Sequence, residues 1–267
     1  MNYGASTACF YPVESELGLK TLLECGYKYI ELFTNTISET EPEYIKTLKK
    51  TADEYGAKFV SLHPYTCLME GMYFFSGYER RFHDGTELYR KYFNAANLLG
   101  AEVLVFHGQA AFRDKYAFSD DFYLERFVKL SEEAEKFGVI LCQENVCNYR
   151  AGNIDFVRYM KSQLKEKANF VFDIKQARLV GYNPIDMINA MGNSIRHVHL
   201  SDADENSKCL LPGFGNEKFE AVFDALRKNR FDGNVLAEVY SDAIDSNEQL
   251  VTSLKHMKKI VPDMIFS

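Results

Sequence analysis

The sequence lacks any apolar run approaching the roughly 20 residues that a bilayer span requires. Its first residues, MNYGASTACF, also lack the basic-then-apolar layout of a secretion signal. The chain has 267 residues, 46% hydrophobic and 26% charged, which is enough for one sizeable core. We therefore expect a cytoplasmic protein without a membrane partner, folded as a single domain over residues 1–267.

Paired cysteines and an excess of basic residues are also missing. The six cysteines form no Cys-x-x-Cys pair, and several lie in apolar segments such as VILCQENVC. We interpret them as reduced core residues. The net charge of −7 argues against a nucleic-acid partner, because affinity for a phosphate backbone depends on clustered Lys and Arg.

Two-residue hairpin turns are absent between the short β-branched and aromatic runs, which alternate eight times with stretches of helical period. Parallel pairing through helical crossovers follows, and the pattern predicts an α/β fold, a (β/α)₈ barrel. Four helical stretches close with a glycine that suits a C-cap, namely Gly26, Gly56, Gly100 and Gly138. The predicted strands are YGASTACF, YKYIELF, KFVSLHP, EVLVFHG, VILCQEN, NFVFDI, IRHVHLS and NVLAEVY.

A doubly wound open sheet is the alternative fold, but its glycine-rich first turn is not present in FYPVES. Two connections are long, from about 63 to 85 and from about 202 to 215. Long loops that follow the strands of a barrel are common sites for substrate lids.

Six predicted strands end in residues of the types that commonly bind metal ions. Strands of a closed parallel barrel point the same way, so their C-terminal residues encircle one pocket. Each acid ends a strand face that is otherwise apolar, and a carboxylate buried there must be paired with a cation or bound to metal. Pairing with Arg or Lys across the barrel is the alternative to metal binding. The six residues are His63, His107, Glu144, Asp173, His199 and Glu238.

Seven motifs resemble those of the xylose isomerase-like TIM barrels, which include sugar phosphate isomerases and epimerases, ketose 3-epimerases, inosose dehydratases and endonuclease IV. The motifs are SLHPY, VLVFHG, LCQEN, FVFDIKQA, HVHLSDAD, LPGFG and VLAEVY. The resemblance covers essentially the whole chain. It implies one divalent metal ion, Mn, Mg or Co with Zn possible, bound by Glu144, Asp173, His199 and Glu238. Three carboxylates and one imidazole also suit such ions chemically.

The resemblance further implies a sugar or sugar-phosphate isomerase or epimerase that removes a proton next to a carbonyl through a metal-stabilised enediolate. Glu144 and Glu238 are the predicted catalytic acid–base pair, one on each face of the substrate. Loss of a β-hydroxyl from the same enediolate would instead make the protein an inosose dehydratase-like lyase.

Other residues are predicted to contact the carbohydrate. His63 and His107 are expected to bind substrate, to hold a second metal or to be structural, and Glu31 is expected to bind substrate or to form an internal salt bridge. Gln176 stands where the family often has a His, and Lys208 is the nearest equivalent of a substrate-binding Arg. Next to Asp173, Lys175 is a weaker candidate. His197 is expected to pack behind the site.

Two further classes of function stay open. An endonuclease IV-like zinc phosphodiesterase needs an Asp and a His where this chain has Ser207 and Cys209. A sugar-binding barrel without turnover is the other class. The resemblance also makes a homo-oligomer plausible.

Overall fold

Eight parallel strands close into a barrel in which each strand pairs with its neighbours in sequence, and the last pairs with the first. The computed structural model describes residues 1–110 and 118–262. The predicted α/β barrel is confirmed, and each of the eight strands overlaps its predicted segment. The second half of the predicted strand YGASTACF is instead a 3₁₀ helix, Thr7–Phe10. The strands are β1 (Asn2–Ser6), β2 (Tyr29–Phe33), β3 (Lys58–His63), β4 (Val103–Phe106), β5 (Ile140–Glu144), β6 (Phe170–Asp173), β7 (Ile195–Leu200) and β8 (Asn234–Ala237).

The α-helices of the described part of the chain surround the barrel. They are α1 (Ser15–Glu24), α2 (Pro42–Glu54), α3 (Cys67–Phe74), α4 (Glu79–Leu99), α5 (Asp120–Glu135), α6 (Ile154–Leu164), α7 (Ile174–Leu179), α8 (Pro184–Met191), α9 (Phe219–Lys228) and α10 (Asn247–Ile260). Helix ends follow local chemistry. The side chain of Ser119 accepts a hydrogen bond from the amide of Phe122 at the start of α5, and Gly100 ends α4 in the left-handed conformation at φ 76°.

Two helices were not predicted from the sequence. The connection from 63 to 85 contains α3 and the first two turns of α4. Helix α7 follows β6 without a loop, because the side chain of Asp173 caps it by accepting a hydrogen bond from the amide of Gln176 at 3.0 Å. Strands β4 and β8 each end one residue earlier than the predicted site residues His107 and Glu238.

The barrel interior holds a small apolar cluster that is separate from the larger core between barrel and helices. Its buried members are Val103, Val105, Cys142 and Val171, with Ile140 packed against them. Cys142 and Val171 precede Glu144 and Asp173 by two residues, so each acid lies above the cluster on the same strand face. The predicted apolar face beneath these two acids is therefore present.

The single-domain boundary of 1–267 stays a prediction, and residues 111–117 and 263–267 of that range lie outside the described part. Among the described residues, no helix is long and apolar enough to span a membrane. All six cysteines are free thiols, as predicted, but Cys67 and Cys147 are only partly buried and are not core residues.

Candidate metal centre

Three carboxylates converge on one imidazole at the C-terminal end of the barrel. The Nδ1 atom of His199 lies 3.0 Å from Oε1 of Glu144 and 2.9 Å from Oε2 of Glu238. The Oδ2 atom of Asp173 lies 4.0 Å from the same nitrogen. One ligand atom of each residue lies within 4.8 Å of the others, and all four side chains are buried. The structure thus brings together the four predicted metal ligands, whose role as ligands stays a prediction.

Strand register places these residues side by side. Asp173 and His199 are Cα partners across β6 and β7, and Glu144 is the last residue of β5. Glu238 follows β8 directly, and its amide donates to the carbonyl of Leu200 at 3.1 Å. Residues at the ends of three adjacent strands and just beyond a fourth therefore face one small volume.

Asn145, whose role was not predicted from the sequence, holds the backbone at the end of β6 in place. Its amide group donates to the carbonyl of Asp173 at 2.9 Å and accepts from the amide of Asp173 at 2.7 Å. Gln143 has a similar role, since its side chain donates to the carbonyls of His107 and Glu144, both at 2.9 Å. The only sequence signal for either residue is its position beside Glu144 in the LCQEN motif.

The donor set fits a divalent cation. Among the described residues, the buried Oδ2 atom of Asp173 accepts no hydrogen bond, although the ammonium group of Lys175 lies 3.5 Å away. Burial, opposed by Lys175 and reinforced by Glu144 and Glu238, raises the pKa of Asp173 to about 6. A divalent cation would relieve this repulsion, and three carboxylates with one imidazole are suitable ligands for such an ion.

The site is strongly polarised even without a metal. Burial would lower the pKa of His199, but Glu238 and Glu31 beside it raise that pKa well above its ordinary value. Burial would likewise raise the pKa of Glu144, but His107 and His199 hold it below its ordinary value. The pKa of Glu238 is also lowered, because His199 and Lys175 outweigh its burial. The neighbouring cations therefore favour the ionised forms of Glu144 and Glu238.

Glu31 lies behind the imidazole of His199, fully buried in the barrel. Its Oε2 atom is 3.1 Å from Nε2 of His199 and 3.3 Å from Nε2 of His197, and it accepts from the hydroxyl of Ser61 at 2.7 Å. These contacts form the internal network that was one of the two expectations for Glu31. They also place His197 behind the site, as predicted, and hold the Nε2 edge of the His199 ring.

His63 and His107 extend the site toward β3 and β4. Their Nε2 atoms lie 2.8 Å apart, and Nε2 of His107 is 2.7 Å from Oε2 of Glu144. With Glu144 they form a second group that could hold a metal ion. The side chain of His107 is 13% exposed, so it also faces the mouth of the barrel. The geometry is compatible with both substrate contact and a second metal.

The remaining predicted substrate contacts are less central. The side-chain oxygen of Gln176 accepts from the amide of Cys147 at 3.0 Å and links α7 to the segment that follows β5. Lys208 is exposed, and its carbonyl accepts from Arg178 at 2.9 Å. Lys175, the weaker candidate, is by contrast buried beside Asp173.

The carboxylate of Asp202 accepts hydrogen bonds from backbone amides in the loop after β7. The Oδ2 atom of Asp202 accepts from the amide of Gly213, and Oδ1 accepts from the amide of Glu217, both at 2.9 Å. These amides precede α9, where the LPGFG segment could otherwise bind an anion. Arg178 anchors the same loop through the carbonyl of Ser201 at 2.6 Å and an ion pair with Glu217 at 3.1 Å.

The family model described as "Xylose isomerase-like TIM barrel" matches residues 19–260. The chain therefore belongs to this family, as its motifs indicated. An uncharacterised protein of Mycobacterium leprae (strain TN) is 23% identical in an alignment 280 positions long, which covers 94% of this chain and 93% of that protein. The inosose dehydratase of Lacticaseibacillus casei is 23% identical in an alignment 270 positions long, which covers 88% of this chain and 85% of that protein.

A solved structure titled as a D-tagatose 3-epimerase-like protein superimposes with a TM-score of 0.79 at 22% identity. The match covers 98% of this chain and 97% of that one. At this level of identity the likeness establishes the fold alone.

Proposed function

We propose that this protein is a divalent-metal-dependent isomerase or epimerase of a carbohydrate, with Glu144 and Glu238 as its acid–base pair. The convergence of three carboxylates on Nδ1 of His199, at the open end of the barrel, carries this proposal. The likeness to a D-tagatose 3-epimerase-like protein supports the same class of reaction.

The proposed metal ligands are Glu144, Asp173, His199 and Glu238, with Mn²⁺, Mg²⁺ or Co²⁺ as the expected ion and Zn²⁺ as the alternative. When bound, such an ion would polarise a substrate carbonyl and stabilise the enediolate formed next to it. His63 and His107 line the side of the site toward β4, where they would contact substrate hydroxyls. Gln176, Glu31 and Lys208 stay predicted substrate contacts.

The chain's own part in the reaction is to move a proton. Glu144 and Glu238 approach the same nitrogen at 3.0 and 2.9 Å, so both reach the same small volume. One carboxylate takes the proton from the carbon next to the carbonyl, and the other returns a proton to the opposite face, which inverts that carbon. Return of the proton to the adjacent carbon would give isomerisation instead.

An unphosphorylated sugar is the preferred substrate in this proposal. Asp202 already occupies the amides of Gly213 and Glu217, and its negative charge would repel a phosphate bound at that loop. A cytoplasmic location and assembly into a homo-oligomer stay predictions.

Proton exchange in D₂O tests the proposed function. The metal-loaded protein is incubated with free and phosphorylated ketoses and with inosose, and each carbon-bound proton is followed by NMR. Deuterium uptake next to the carbonyl is expected with the wild type. It should fall at least about 100-fold in both Glu144→Gln and Glu238→Gln, because each variant removes one member of the pair. Glu54→Gln, which alters an exposed carboxylate on α2, is the matched control.

Uptake that persists in both variants would contradict the assigned pair. Absence of uptake with every substrate, despite one bound metal, would contradict isomerase and epimerase chemistry and favour a sugar-binding role.

A dehydratase is the second candidate function, because the inosose dehydratase of Lacticaseibacillus casei aligns over 88% of this chain. Loss of water from inosose in the same experiment would favour it. An endonuclease IV-like phosphodiesterase predicts two or three zinc ions, so metal stoichiometry would distinguish that class. A second ion would bind between His63, His107 and Glu144.

A further inference from the structure

Lys175 is a buried cation placed against two of the proposed metal ligands. Its side chain is 5% exposed, and Nζ lies 3.5 Å from Oδ2 of Asp173 and 3.7 Å from Oε2 of Glu238. The ammonium group also lies 4.7 Å from the ring centre of Tyr240, a favourable cation–π distance. Lys175 reaches this position because α7 begins directly after Asp173 and places it in the first turn.

The two oxygens that face Lys175 are the same ones that face the imidazole. Oδ2 of Asp173 and Oε2 of Glu238 lie 4.0 and 2.9 Å from Nδ1 of His199. A cation bound among the proposed ligands would share these oxygens with the ammonium group. The metal ion and the ammonium group would then lie close together within a buried site, where their repulsion is screened much less than it would be in water.

We infer that Lys175 is an internal counter-ion of the metal centre, which stabilises the metal-free carboxylates and thereby weakens the binding of a divalent metal. The inference rests on the proposed function insofar as it needs the metal ligands named there. Lys175 acts through Asp173 and Glu238 and is a positioning residue. A metal that displaces part of this interaction binds reversibly, and the protein stays folded when the metal leaves.

Two substitutions test the effect of the positive charge at position 175 on metal binding: one removes the charge and the other keeps it. Lys175→Met keeps the length and apolar stem of the side chain but removes the charge, whereas Lys175→Arg keeps the charge. Lys58→Met is the matched control, because Lys58 is exposed at the first residue of β3, at the opposite end of the barrel. Mn²⁺ alone is titrated calorimetrically into the full-length, metal-free proteins, and thermal unfolding is recorded with and without Mn²⁺.

Lys175→Met should bind Mn²⁺ at least about tenfold more tightly than the wild type, since a positive charge close to the ion is gone. Lys175→Arg and Lys58→Met should remain within about threefold of the wild type, because neither removes charge from the site. Without metal, Lys175→Met should unfold at a lower temperature than the wild type, and saturating Mn²⁺ should narrow the difference. A side chain needed only for packing would not increase metal affinity when removed.

Equal or weaker Mn²⁺ binding by a folded Lys175→Met would overturn the inference. If this variant is unfolded without metal, refolding on addition of Mn²⁺ supports the inference, and failure to refold at saturating Mn²⁺ overturns it. A wild type that binds no Mn²⁺, Mg²⁺, Co²⁺ or Zn²⁺ would overturn both the metal centre and this inference. Metal binding by the wild type with no gain in Lys175→Met would overturn the inference alone.

Discussion

Nε2 of His199 lies 3.1 Å from Oε2 of Glu31, while Nδ1 of the same ring faces the carboxylates of the site. The two nitrogens therefore face different partners. In the proposed metal centre, Glu31 would hold a proton on Nε2 and leave the lone pair of Nδ1 for the metal. We therefore expect Glu31 to orient His199 as a ligand.

Glu31→Gln should weaken Mn²⁺ binding by about tenfold or more, because an uncharged amide holds the proton on Nε2 less firmly than a carboxylate does. Calorimetric titration of the metal-free variant measures the effect. The matched control is Glu132→Gln, which changes an exposed carboxylate on α5. Unchanged affinity in Glu31→Gln would show that the imidazole is oriented by other contacts.

Removal of the metal should lower the melting temperature of the wild type. A ligand that binds only the native state at 100 times its dissociation constant adds about 2.7 kcal/mol of stability, which corresponds to roughly 5 to 10 °C for a protein of this size. Thermal unfolding is compared in excess chelator and in excess Mn²⁺. The same comparison in Asp173→Asn should show a smaller difference, and an equal one would argue against Asp173 as a ligand.

Glu70 on α3 should make stability fall as pH rises. Its carboxylate is buried and accepts hydrogen bonds from Tyr89 and the amide of Gly108. Burial, only partly offset by His107, raises the pKa of Glu70 from the usual 4.5 to about 7. The native state then holds a proton that the unfolded state releases, so this contribution is full below pH 4.5 and is lost as pH rises through about 7.

The expected loss between those pH values is about 3 kcal/mol. Glu70→Gln, which mimics the protonated group, should flatten the dependence, and the difference between wild type and variant is measured by urea unfolding from pH 4.5 to 8. Parallel pH profiles for the two proteins would refute the assignment.

Gly4→Ala should prevent formation of a stable barrel. A Cβ atom at this position in β1 would lie 1.7 Å from the carbonyl oxygen of Tyr29 in β2. The backbone of Tyr29 could move away from this atom only if the two strands separated. The matched control is Gly56→Ala. At Gly56 nothing lies within 4 Å of the added atom, and only the positive φ of 64° opposes it, so the control should cost about 1–2 kcal/mol. Soluble expression and chemical unfolding of both variants measure the contrast.

The barrel could be predicted from the sequence because strand and helix periodicity are local properties. All four glycines predicted to end helices have positive φ in the structure. The six polar strand ends could be predicted for the same reason, since parallel strands of a closed barrel present their C-terminal residues to one pocket. The family motifs then supplied the choice of four metal ligands from these six residues.

Contacts between distant segments were not predictable in this way. The internal position of Lys175 depends on α7 starting without a loop, and the pairing of Asn145 with Asp173 depends on the register of neighbouring strands. Likewise, occupation of the β7 loop by Asp202 arises only when the chain folds back over the barrel mouth.

Local sequence pattern and the closure of a parallel sheet were enough to predict the barrel, its strand order and the residues that meet at its open end. The folded arrangement was needed to show that Nδ1 of His199 faces Glu144 and that Lys175 lies against Asp173 and Glu238. Electrostatic balance in a buried site depends on distances of a few ångströms, and packing and helix starts determine those distances.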